Sequence, residues 1–85
     1  MALVLPSWFK QRQCKAEEAG PNLYRLTGPN LREAYLRVEK VDGGYRAALR
    51  LAADGPDVLV SQAPLPTEYE AWNTAFEFYR EEVLV

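Results

Sequence analysis

Tyr35-Leu36-Arg37-Val38-Glu39-Lys40-Val41-Asp42-Gly43-Gly44-Tyr45-Arg46-Ala47-Ala48-Leu49-Arg50-Leu51 is the stretch that decides the fold. Two alternating segments meet at Asp42-Gly43, the strongest short-range hairpin signal a sequence carries. A two-residue loop there sets Val38 opposite Ala47, Leu36 opposite Leu49 and Ala34 opposite Leu51, all on one side of the sheet. The other side opposes Glu39 to Arg46 and Tyr35 to Arg50, an ion pair and a cation–π contact. A loop at Gly43-Gly44 would instead bring Arg37 opposite Arg50, two like charges. Residues 30–41 also fit a helix: Asn30 with Glu33 resembles a capping arrangement, and Leu31, Ala34, Tyr35 and Val38 share a helical face. That helix would leave Leu36 and Val41 on its polar side, so register favours the strand, with the helix as the standing alternative.

The neighbouring turns extend the same pattern. A three-residue loop Pro29-Asn30-Leu31 places Leu26 opposite Ala34 and Tyr24 opposite Leu36. A two-residue loop at Asp54-Gly55 places Leu51 opposite Val58 and Leu49 opposite Val60. Three turns agreeing on one apolar face predict a four-stranded antiparallel meander. Gly20-Pro21-Asn22-Leu23 and Gly28-Pro29-Asn30-Leu31 are near copies; proline presets the first central turn position and asparagine tolerates the second. Two copies do not make a repeat architecture.

Thr67 and Glu70 form a capping box after Pro64-Leu65-Pro66, and Trp72, Ala75, Phe76, Tyr79 and Val83 recur at helical spacing. That stripe predicts a C-terminal helix packed on the inner sheet face, which otherwise has no cover. Ser7 and Gly20-Pro21 bracket a short N-terminal helix over residues 7–19, with Trp8, Phe9, Ala16 and Ala19 as its thin apolar set. The expected class is therefore α+β, with residues 1–20 as an N-terminal segment and 21–85 as a single domain.

Composition bounds the function. The chain has 85 residues, 48% hydrophobic and 26% charged, with a formal net charge of −2. That is one modest domain with enough aromatic bulk for a core. Residues 1–50 hold nine Lys/Arg against five Asp/Glu, and residues 51–85 hold one against seven. The single cysteine, Cys14, cannot form an internal disulfide and suits a reducing compartment, so a cytoplasmic location is expected. Met1-Ala2-Leu3-Val4-Leu5-Pro6 has no basic n-region and too short an apolar run for a signal peptide, and no stretch reads as a membrane span.

Candidate chemistry is sparse. Histidine is absent, removing the commonest general base and metal ligand. Cys14 has no such partner, and the chain offers no ligand set for zinc. Glu17-Glu18 and Glu81-Glu82 are adjacent and diverge by about 100° on a helix. Glu70 belongs to the cap, Asp42 and Asp54 to turns. Asp42-Gly43-Gly44 joins strands, whereas a phosphate cradle opens a helix. No catalytic role, cofactor or metal is expected. The constellation that remains is the outer sheet face, where the registers gather Arg25, Arg37, Arg46 and Arg50 with Tyr35 and Leu59. This suits a protein partner or, alternatively, nucleic acid, since forked donors beside an aromatic can take phosphates and stack bases. Trp8 and Phe9 form a second candidate surface. The last strand, Asp57 to Gln62, carries Val58-Leu59-Val60 without internal charge at a sheet edge, so the chain is expected to be a monomer or a weak homodimer.

The hairpin with Gly43-Gly44-Tyr45, followed by Thr67-Glu68-Tyr69-Glu70-Ala71 opening a helix, resembles the HicB-type antitoxins. Asp54-Gly55-Pro56 stands where that family has its Pro-Gly segment. A meander with one helix is also similar to the integrase-arm type of DNA-binding domain, which applies its exposed sheet face to the major groove. The shared features span roughly half the chain and consist of turn and cap residues, so neither likeness assigns a role to any residue.

Overall fold

The computed structural model describes residues 5–84. Residues 1–4, most of the apolar run weighed above as a leader, lie outside the described residues. The elements in order are helix α1 (Ser7–Gln11), strands β1 (Lys15–Gly20), β2 (Leu23–Thr27), β3 (Ala34–Val41), β4 (Gly44–Arg50) and β5 (Asp57–Val60), and helix α2 (Glu68–Tyr79), which runs on into a π-helical turn, Arg80–Leu84. The strands form one antiparallel sheet in the order β1-β2-β3-β4-β5. The class is α+β as expected, but the sheet has five strands rather than four.

The extra strand is a correction to the N-terminal helix. Cap and stop signals bracket a helix over residues 7–19, but such local signals are a weak prior against strand pairing, and residues 15–19 join β1 instead. The helix stops after five residues, in a motif without glycine: Gln13 N–H donates to the Lys10 carbonyl at 3.0 Å and Cys14 N–H to the Phe9 carbonyl at 3.2 Å. Gln13 takes the left-handed conformation, φ 60°, that glycine usually supplies at this place. The cap at the other end also differs, with Pro6 and not Ser7 preceding the first turn. Freed from the helix, Lys15–Gly20 folds back on β2 through the turn at Pro21-Asn22, with Ala16 opposite Leu26 and Glu17 opposite Arg25. Both asparagines of the echoed turns adopt positive φ, 54° at Asn22 and 60° at Asn30. Strand, not helix, is what residues 34–41 form.

The hairpin register is the expected one: Leu36 faces Leu49, Val38 faces Ala47, Glu39 faces Arg46 and Tyr35 faces Arg50. Leu26 opposite Ala34 and Tyr24 opposite Leu36 agree as well. At the tight end Gly44 is obligatory, because a Cβ there would stand 2.3 Å from the Leu65 carbonyl oxygen. Leu65 runs back along β4 at this point, exchanging two hydrogen bonds of 2.8 and 2.9 Å with Tyr45.

The β4–β5 register departs by one residue. The turn closes at Ala52 to Gly55, with Gly55 N–H donating to the Ala52 carbonyl at 3.1 Å, not at a two-residue Asp54-Gly55 loop. Leu49 consequently pairs with Leu59, and a bulge absorbs the extra residue before Arg50 meets Asp57. A one-residue slip exchanges the two faces of a strand. Leu59 therefore packs against the core and leaves the outer face, while Val58 and Val60 are exposed.

The core lies between the inner sheet face and α2. Thr67 caps α2, its side-chain oxygen accepting from Glu70 N–H at 3.1 Å. Ala71, Trp72, Ala75, Phe76 and Tyr79 are buried on Leu26, Ala34, Leu36, Val38, Ala47 and Leu49; Trp72, Ala75, Phe76 and Tyr79 belong to the expected stripe, whose last member Val83 is partly buried, and Ala71 joins them. Helix α1 joins the same layer. Phe9 is fully buried, its ring 5.3 Å from Phe76 and 5.8 Å from Tyr79, and Trp8 packs edge-on against Phe9 and Phe76. No described helix is long and apolar enough to cross a membrane.

Candidate interaction face

With α1 and α2 both on the inner side, no described helix crosses the outer face of β1–β5. Alternation along β2, β3 and β4 places Arg25, Tyr35, Arg37, Glu39, Arg46 and Arg50 there. Ala48 sits among them, opposite Arg37. It is 2% exposed yet outside the core cluster, so it is covered from the outer side. Long arginine stems that lie along a sheet shield small apolar residues in this way.

The guanidiniums are not free. Arg37 holds the centre, bonded to Asp57 at 3.1 Å and 3.8 Å from Glu39. Glu39 also accepts from Arg46, whose Nε donates at 2.9 Å. Asp57 also accepts from Arg50 Nε at 2.7 Å, while Arg50 Nη1 donates to the Ala53 carbonyl at 3.2 Å. Arg50 thus turns to Asp57, and the expected pairing with the Tyr35 ring is replaced. Tyr35 donates its hydroxyl to Glu33 at 2.9 Å, and Glu33 pairs with Arg25. The result is a chain Arg46–Glu39–Arg37–Asp57–Arg50 with a separate trio Arg25–Glu33–Tyr35.

Charge follows from this geometry. Hydrogen bonding from Arg46, with the nearby Arg37 charge, holds the Glu39 carboxyl below its ordinary range. The Tyr35 hydroxyl and Arg25 do the same for Glu33, and Glu33 in turn raises Tyr35 and Arg25. Four guanidiniums meet three carboxylates, and β1 adds Lys15 and Glu17 to the same face, so only a small positive excess remains. At its β5 side lies a groove of about 300 Å³ lined by Val41, Arg46, Val60, Ser61, Ala63 and Pro64.

Of the residues singled out from sequence, Arg25, Tyr35, Arg37, Arg46 and Arg50 share this face. Leu59 does not, for the register reason above. Trp8 and Phe9 are a second correction: they close the core and do not form an exposed surface, because α1 is tethered by Phe9 to α2. The carboxylates Glu33 and Asp57 were missed. From sequence, Glu33 enters only in the capping arrangement of the alternative helix over residues 30–41, and Asp57 only as the start of an edge strand. The alternation gives no signal for them: Glu33 precedes β3, and Asp57 reaches Arg37 across β4 only once the sheet is assembled.

Among the described residues no three of His, Cys, Asp and Glu cluster as metal ligands would. Cys14 is buried beneath Gly28, a position whose added Cβ would lie 2.9 Å from its sulfur. Burial raises the Tyr79 hydroxyl above its ordinary pKa, with Cys14 as its neighbour, and that hydroxyl has no hydrogen-bond partner among the described residues. Comparisons with protein-family models, with curated proteins and with solved structures give no match, so the face is interpreted from its own residues.

Proposed function

We propose that this chain is a small non-catalytic interaction domain that binds a protein partner through the outer sheet face around Arg25, Tyr35, Arg37, Arg46 and Arg50. The observation that carries the reading is the pairing of each of these arginines with a carboxylate on a sheet face that no described helix crosses. Binding to nucleic acid draws on unspent guanidinium forks and a positive field. Here Glu33, Glu39 and Asp57 occupy the forks and offset most of the field. A charge-matched face suits a protein, because ion pairs within it exchange for pairs across an interface and penalise partners of the wrong pattern. Arginine and tyrosine are also the residues enriched among interface hot spots.

Nucleic-acid binding through the same residues is the competing reading, and one pair of measurements separates them. Immobilised wild-type protein should recover partners that Arg46→Glu and Tyr35→Ala lose and that Glu77→Ala, on the exposed side of α2, keeps. Recovery of the same proteins by all four would place the surface elsewhere. A short mixed-sequence DNA duplex added at low salt should leave the amide NMR spectrum unchanged. Salt-reversible shifts across residues 35–50 would transfer the assignment to nucleic acid.

A further inference from the structure

We infer that β5 is a docking edge for a second copy of this chain, the two β5 strands pairing antiparallel. The two edges of the sheet are built differently. β1 carries Lys15, Glu17 and Glu18 within six residues, the kind of charge that blocks edge-to-edge pairing. β5 and its continuation carry no charge from Val58 to Pro66. Val58 and Val60 are 43% and 39% exposed, and only Tyr69 joins them as a large exposed apolar residue among the described residues.

The backbone is open on the same side. Leu59 pairs with Leu49, and Ser61 N–H donates to the Ala47 carbonyl at 2.9 Å, so these two residues direct their peptide groups at β4. Peptide groups alternate in direction along an antiparallel ladder, which turns the N–H and C=O of Val60 away from the sheet. Val58 is the extra residue of the bulge and has no partner across the ladder. Among the described residues no strand lies beyond β5.

A free edge of this kind accepts a short, extended, uncharged apolar strand, and Val58-Leu59-Val60 is itself one. A two-fold axis beside Val60 lets each Val60 N–H donate to the Val60 carbonyl of the other copy, closing an isologous contact. Electrostatics permit it. Asp57, the one acid within β5, is held between Arg37 and Arg50 in each copy, so the strand itself brings no uncompensated carboxylate to the contact. A contact over four residues is smaller than the roughly 1,200 Å² at which specific interfaces begin, so the dimer belongs to concentrated solution. The inference uses the backbone edge and does not depend on the arginine face.

Sedimentation equilibrium across a wide concentration range tests it, with amide hydrogen exchange read on the same samples. The mass should rise from monomer toward dimer, and the Val60 amide should gain protection only as the sample is concentrated. Val60→Lys, an exposed position, should restore the monomer; Val58→Lys provides a second variant should the first fold poorly. A monomer at every concentration overturns the inference. So does a dimer untouched by both lysines, which places the contact elsewhere. Val60 protection that is independent of concentration also overturns it, because the edge is then covered from within the chain. A separate extended peptide that protects Val60 while the protein alone stays monomeric would replace the second copy as occupant.

Discussion

The inner face of the sheet presents Leu26, Ala34, Leu36, Val38, Ala47 and Leu49 to two helices; the outer face presents arginines and carboxylates to solvent. Both faces come from the same strands, one residue out of phase. Their energetics differ in kind. On the inner face each ring or methyl contributes through apolar area removed from water, which is non-directional and tolerant of detail. On the outer face each ion pair works against side-chain entropy and solvent screening, so only the half-buried members contribute much. The inner face therefore holds the fold, and the outer face is free to be specified by what it meets.

Breaking the inner face should have the largest effect. Phe76→Ala removes a fully buried ring that touches both Phe9 and Trp8. The expected loss is about 3–5 kcal/mol, read from urea unfolding, a large share of the total stability of a domain this size. A loss below 1 kcal/mol would mean that α1 is not packed as described.

The strongest outer-face effect should come from Asp57, which joins Arg37 and Arg50 at side-chain exposures between 21% and 28%. Asp57→Ala removes the carboxylate that two half-buried guanidiniums share, and a loss of about 2 kcal/mol is expected from hydrogen bonds to charged groups. A neutral result would make the whole lattice a solvated surface. The contrast between the faces would then be complete rather than graded.

Tyr79→Phe sharpens the comparison from the other direction. Its hydroxyl is buried on the inner side without a hydrogen-bond partner among the described residues. Removing it should stabilise the protein by about 1 kcal/mol, the lower end of the penalty for an unsatisfied buried group. It should also flatten alkaline unfolding. Burial raises the folded pKa above the ordinary 10.0, so stability is untouched by this phenol's ionisation below pH 10.0 and falls as pH rises from there toward the folded value, when only the unfolded chain ionises it. A destabilised Tyr79→Phe would show that the hydroxyl is bonded after all, with the Cys14 thiol as the neighbour to examine.

The smallest effect is acidic. Glu39 and Glu33 have folded pKa values below their ordinary 4.5, so the stability they contribute is present above pH 4.5 and is lost as pH falls through the lower, folded values. Glu39→Gln should remove part of that slope and change stability at neutral pH by less than about 1 kcal/mol. An acid limb identical to wild type would show that Glu39 titrates as an isolated carboxyl.

Three turns and one capping box were legible in the chain because each is a local matter. Asp42-Gly43, the two Pro-Asn turns and Thr67 with Glu70 need only their own neighbours to act. From them the β2–β3–β4 registers, the inner face and the stripe of α2 followed by counting in twos and in steps of three and four. The arginines of the outer face came out of the same count. Their acids did not, because Glu33 and Asp57 lie outside the paired residues that the hairpin fixes.

Two things were decided only in three dimensions. Lys15-Ala16-Glu17-Glu18-Ala19-Gly20 has a helical composition, and it became a strand because Gln13 accepted a left-handed φ and β2 offered an unpaired edge. Nothing within six residues can announce a partner strand. Leu59 changed faces because Asp57 found Arg37 and Arg50 and a bulge absorbed the difference. A one-residue shift is invisible to an alternating pattern in Val58-Leu59-Val60, where every side chain is apolar. The sequence by itself determined which residues want to be inside. The tertiary structure determined, by pairing backbone and charge across strands, which side of the sheet each of the rest would reach.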